Sequence, residues 1–202
     1  MTSMIEIEGQ LVEISNGDRN NAKVWFMYSE NDASDASMAL QEMPMEYFGL
    51  DESISMVKDC LLKLETTESC TIFGFSQGAT FSHILSILAS AARKMPENAE
   101  ISPFAKIDSV ILVSGFPSMH QDFLGDKTVA TDSNDPIPLR SLHIFGEEDT
   151  SVPKSYGDKL AARYLNPQIY VHEKGHFIPH NKTLCDTVIE FLDKMSKVIP
   201  SL

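Results

Sequence analysis

The chain has 202 residues, 43% of them apolar and 22% charged, which suffices for one domain with a full core. Its net charge of −13 and pI near 4.8 repel phosphate backbones, so nucleic acid is not the expected partner. No apolar run approaches the length needed to cross a bilayer, and the N-terminus lacks the basic region and long apolar core of a signal peptide. The expectation is a soluble, cytoplasmic protein, with the nucleus as alternative. Cys60, Cys70 and Cys185 are odd in number and far apart, which reads as reduced core thiols in a reducing compartment. No C-x-x-C or H-x-x-x-H pair is read as a metal site.

Residues 1–21 are the least patterned part. Ile5, Ile7, Leu11, Val12 and Ile14 suggest a short hairpin around Gly9, and SNGDRNN then reads as a turn. KVWFMY, residues 23–28, has the composition of a strand. SENDASDAS is polar and loop-like, and residues 29–49 as a whole could cover a site. From Leu50 the pattern sharpens. Ile54, Val57, Leu61 and Leu64 recur at helical spacing, with Asp51 or Ser53 placed to cap the start. CTIFGF, ending at Phe75, is a short apolar strand. The next helix carries Phe81, Ile84, Leu85 and Leu88 on one face and ends before Pro96.

SVILVSGF (109–116) and LRSLHIFG (139–146) read as buried strands, apolar on both faces as parallel strands must be. KSYGDKLAARYL is a helix and PQIYVHE a strand. KTLCDTVIEFLDKM is a last helix with Leu184, Val188, Phe191, Leu192 and Met195 facing inward. Strands and helices largely alternate, which points to an open α/β sheet with helices on both sides and to a single domain over 1–202.

In such sheets the reactive groups gather at the carboxyl ends of the strands. After CTIFGF comes Ser76, inside Gly74-Phe75-Ser76-Gln77-Gly78, and a helix follows. G-x-S-x-G between a strand and a helix is the context of a nucleophile elbow, with the Gln77 N–H as an oxyanion donor. After SLHIFG comes EEDTSVP, with Asp149 the preferred acid and Glu147 and Glu148 as competitors. After QIYVHE comes KGHFIPH, with His176 the preferred base and His180 its competitor. The order Ser76, Asp149, His176 is that of nucleophile, acid and histidine in α/β-hydrolases. His83 in a helix and His143 in a strand read as structural; His120 and His172 are wrongly placed or lack a matching acid.

GLDESISMVKDCLLKL, GFSQGA, ILVSGF, SLHIFGEEDTSVP and GHFIP together resemble the eukaryotic family of serine hydrolases, the FSH family, from about Trp25 to Met195. GFSQG alone is shared with acyl-protein thioesterases. The resemblance implies an α/β-hydrolase fold and hydrolysis of small-molecule carboxylic esters or thioesters. It implies a charge-relay set of Ser76, Asp149 and His176, and no metal or organic cofactor. One feature departs from the family: its first strand ends in a Leu-His-Gly type motif that supplies a second oxyanion N–H, and no His-Gly pair occurs here. The chain is therefore expected to be N-terminally shortened, with CTIFGF at a sheet edge unless residues 4–14 supply a replacement strand. Two functions follow: a working serine esterase, or a catalytically weak α/β-hydrolase-like protein that binds acyl ligands or a partner. Apolar walls from Phe75, Phe116 and Phe177, with Lys174 as the nearest cation, favour an uncharged acyl substrate.

Overall fold

The computed structural model describes residues 3–7, 10–14, 24–28, 46–65, 68–120 and 136–196. Strands β1 (Ser3–Ile7) and β2 (Gln10–Ile14) pair antiparallel, Ser3 opposite Ile14 and Ile7 opposite Gln10, as the alternating apolar residues suggested. Gly9 lies outside the described residues. Helix α1 (Leu50–Lys63) leads to β3 (Cys70–Phe75), helix α2 (Gln77–Lys94), a 3-10 turn (Ser102–Lys106) and β4 (Ile107–Val113). Strand β5 (Arg140–Gly146), helix α3 (Lys154–Ala161), β6 (Gln168–His172) and helix α4 (Lys182–Ser196) follow.

Strands β3, β4, β5 and β6 form one parallel sheet in that order. Among the described residues β3 is therefore an edge strand, and the β1–β2 pair forms a separate two-stranded sheet. Phe73 of β3 is 51% exposed, which marks that edge as open apolar surface.

The alternation along β4 sorts the core onto two faces. Val110 and Leu112 pack with Phe81, Ile84 and Leu85 of α2, Leu160 of α3 and Leu50 and Leu61 of α1. Ile111 and Val113 join Leu142 and Ile144 of β5 against Leu184 and Phe191 of α4. Burying each such side chain contributes roughly 1.5–3 kcal/mol, which is what holds the helices on both faces. Helix α2 is buried nearly all round, so it carries serines and a histidine inside: Ser82, Ser86, Ser90 and His83. His83 Nδ1 meets the Tyr164 hydroxyl at 3.2 Å, and that hydroxyl donates to Ser86 Oγ at 3.0 Å. His143 of β5 packs edge-on to the same Tyr164 ring and hydrogen-bonds Ser141 at 3.0 Å.

Several expectations change. Residues 24–28 are not a strand; only Met27 bridges Phe48, while the Trp25 N–H and the Trp25 and Phe26 carbonyls turn to side chains. Helix α1 is capped by neither Asp51 nor Ser53. It begins after Gly49, whose φ of 80° is left-handed, while the Ser53 hydroxyl donates to Trp25 O. Leu192 lies on the exposed side of α4, because Phe191 and Leu184 already fill its buried stripe; the Met195 side chain lies outside the described residues. Cys60 and Cys185 are exposed free thiols on helix surfaces, and only Cys70 is half-buried, so they are not core residues. Of residues 29–49, considered as a cover for the site, 29–45 lie outside the described residues.

Candidate active site

Ser76 stands between β3 and α2 with φ 53° and ψ −119°, a conformation costly for a residue bearing a side chain. The surrounding contacts hold it there. Its N–H donates to Val113 O at 2.8 Å, which ties the turn to the end of β4. Gly74 lets strand and helix close: a Cβ there would lie 2.3 Å from Gly78 O and 2.5 Å from Ser82 Oγ. Ser82 Oγ in turn donates to Gly78 O at 2.7 Å. Gln77 and Gly78 open α2, where N–H groups lack intrahelical acceptors and carry the positive end of the helix dipole.

Asp149 follows β5 in a tight turn and is buried. Its Oδ1 accepts the N–H groups of Ser151 at 3.0 Å and Val152 at 2.8 Å. Its Oδ2 is 2.8 Å from His176 Nδ1. His176 Nε2 is 3.0 Å from Ser76 Oγ. Three loops after three different strands thus meet in one hydrogen-bonded chain, carboxylate to imidazole to hydroxyl. The Phe75 ring, 4.8 Å from the His176 ring, supports the imidazole from one side.

The competitors stand apart from this chain. Glu147, Glu148 and His180 are exposed. His83 and His143 belong to the buried cluster around Tyr164, and His120 packs against the Tyr47 ring. His172 is buried at the end of β6, where its Nδ1 accepts the Lys174 N–H. His172, His176 and His180 do recur every fourth residue, an H-x-x-x-H spacing that would share one face of a helix. Residues 173–180 are not helical, so the three diverge, and among the described residues no group of three ligands could hold a metal.

Two features of the site escaped the sequence. One is Gly146. A Cβ there would fall 1.9 Å from Lys174 O and 2.8 Å from Gly175 O, so the His176 loop crosses directly over this glycine to reach Asp149. Gly146 stands three residues before Asp149 in sequence, but the reason for it is a contact between loops distant in sequence. The other is the Gln77 side chain, which binds the backbone of Trp25 and Phe26.

A family model described as serine hydrolase (FSH1) matches residues 2–188. The chain belongs to this serine hydrolase family. The match includes β1 and β2, which the resemblance of separate motifs left out. An esterase of Anopheles gambiae is 31% identical over 148 residues, covering 71% of this chain and 47% of that protein. The esterase OVCA2 of Homo sapiens is 31% identical over 173 residues, covering 86% of this chain and 68% of that protein. The chain thus spans about half the length of the mosquito relative and about two thirds of the human one. Among solved structures, acyl-protein thioesterase 2 of Zea mays superposes with a TM-score of 0.55 at 18% identity, covering 85% of this chain and 71% of that one. That likeness shows the α/β-hydrolase fold. No helix among the described residues is long and apolar enough to cross a membrane.

Proposed function

We propose that this chain hydrolyses carboxylic esters or thioesters of apolar acyl groups, with Ser76 as nucleophile, His176 as base and Asp149 as orienting acid. The observation that carries the reading is the continuous chain Asp149–His176–Ser76 at 2.8 and 3.0 Å. Ser76 Oγ gives its proton to His176 Nε2 and bonds to the acyl carbon. The carbonyl oxygen becomes an oxyanion facing the Gln77 N–H and the positive end of α2. Asp149 holds the Nδ1 proton toward itself and stabilises the imidazolium. His176 then passes its proton to the leaving alcohol or thiol. Water, deprotonated by His176, attacks the acyl-serine and releases the acid and free Ser76. The Phe75 ring beside His176 accords with an uncharged acyl group, whereas Phe116 is buried in the core and Phe177 packs on His172. Three free thiols accord with a reducing compartment such as the cytoplasm or nucleus.

The second reading, a weak hydrolase-like protein that binds acyl ligands or a partner, is favoured by one observation. No described strand lies beyond β3 to bring a second oxyanion N–H. Losing one such donor costs about 10²–10³ in kcat. Turnover of a short p-nitrophenyl ester, measured for the wild type and Ser76→Ala, separates the readings. The esterase reading expects turnover that the substitution abolishes. Equal rates for the two proteins would remove it.

A further inference from the structure

The backbone of residues 25–27 lies across the first turns of two helices without joining the sheet. Gln77 Oε1 accepts the Trp25 N–H at 3.1 Å, and Gln77 Nε2 donates to Phe26 O at 3.0 Å. One carboxamide thereby satisfies the N–H of Trp25 and the carbonyl of Phe26, and both partners fix which of its ends is oxygen. On the other side the Ser53 hydroxyl of α1 donates to Trp25 O, and Met27 exchanges two hydrogen bonds of 2.9 Å with Phe48. The Trp25 indole stacks on Phe81 of α2 with centroids 4.7 Å apart. Its Nε1 lies 3.4 Å from where a Cβ of Gly78 would stand. This strap therefore rests on the turn that begins at the strained Ser76.

A strained elbow persists only where its surroundings over-determine it. From inside, Gly74, Ser82 and Val113 do so. From outside, the strap does, and its clamp springs from the residue whose own N–H faces the oxyanion. We propose that the Gln77 carboxamide is a positioning group of this hydrolase: by clamping the Trp25–Phe26 strap to α2 it fixes the turn that presents Ser76 Oγ and the Gln77 N–H. The inference rests on Ser76 being the nucleophile.

The test is steady-state kinetics on a p-nitrophenyl ester, with the rate of fluorophosphonate labelling as a second readout. A misplacement of about 1 Å can cost 10²-fold in rate. Gln77→Leu, which loses both clamp bonds and keeps the backbone N–H, is expected to lower kcat by about 10- to 100-fold with KM nearly unchanged. Labelling of Ser76 should slow by a similar factor. Gln77→Glu keeps the acceptor for the Trp25 N–H and loses the donor to Phe26 O; it should fall between, and it reports even where the leucine variant does not fold. Wild-type kcat in both variants, with Ser76→Ala inactive, would overturn the inference and leave the nucleophile in place. A loss confined to KM would overturn it equally. If Ser76 in the wild type neither turns over ester nor takes the probe, the nucleophile reading has failed and the positioning role falls with it.

Discussion

Two groups of histidines in this molecule sit in opposite surroundings. His176 is half-buried, has a carboxylate at 2.8 Å and has a hydroxyl at 3.0 Å on its other nitrogen. His83 of α2 and His143 of β5 lie in the core among serine and tyrosine hydroxyls. Burial lowers His83 to about 3, helped by the charges of Arg163 and His143, and lowers His143 to about 4. The second environment resists a proton; in the proposed reaction the first takes the one that Ser76 gives up. What differs is whether a carboxylate reaches the ring.

The largest expected effect breaks the first environment. Ser76→Ala and His176→Ala should each remove ester hydrolysis almost completely and to a similar degree, because groups that act as a unit fail as a unit. Thermal melts should stay close to wild type for Ser76→Ala, since only a small, partly exposed hydroxyl is lost. Asp149→Asn should lower kcat by about 10⁴ by favouring the wrong imidazole tautomer. Rates and melts on the same preparations check all three.

Gly146→Ala sharpens the comparison from outside the triad. The added methyl meets the Lys174 and Gly175 carbonyls of the His176 loop, and backbone cannot swing aside as a side chain does. Overpacking of this kind costs roughly 1–3 kcal/mol, and the displaced loop takes His176 from Ser76. A lower urea midpoint together with a large loss of kcat is expected.

The second environment is tested by acid. His83 and His143 have folded pKa values below the ordinary histidine value of 6.5. The unfolded chain therefore binds more protons below that pH, and stability is full above about pH 6.5. It should fall as pH drops toward about 4, where His143 begins to charge in the fold, and further toward about 3 for His83. Each contributes on the order of 1–2 kcal/mol of loss by pH 5. Urea midpoints at pH 7, 6 and 5 should decline in step; a flat profile would mean the cluster accepts protons without cost. The smallest effects belong to the exposed competitors. Glu147→Gln, Glu148→Gln and His180→Ala should leave kcat within about twofold, as surface changes away from the site do.

The sheet and its helices were legible from Leu50 onward because both-faced apolar strands and amphipathic helices announce their partners through period alone. The order of Ser76, Asp149 and His176 was legible because each follows its own strand. Residues 24–28 misled because an apolar, aromatic run looks like a strand, and nothing local reveals that a glutamine 52 residues away satisfies its backbone. The cap of α1 misled because Gly49 in a left-handed conformation ends the preceding segment, which frees Ser53 for the strap. Cys60 and Cys185 sit beside Leu61 and Leu184 in sequence, and it is those leucines that turn to the core. Gly146 matters for a carbonyl 28 residues on, a closeness that exists only after β5 and β6 have paired.

The most direct measurement is reaction of the native chain with a fluorophosphonate probe, followed by mass mapping of the modified peptide, beside the same reaction on His176→Ala. The account predicts one adduct, on Ser76, formed by the native chain and nearly absent from His176→Ala. An unlabelled Ser76 in the folded native chain, or equal labelling with and without the His176 imidazole, would contradict it.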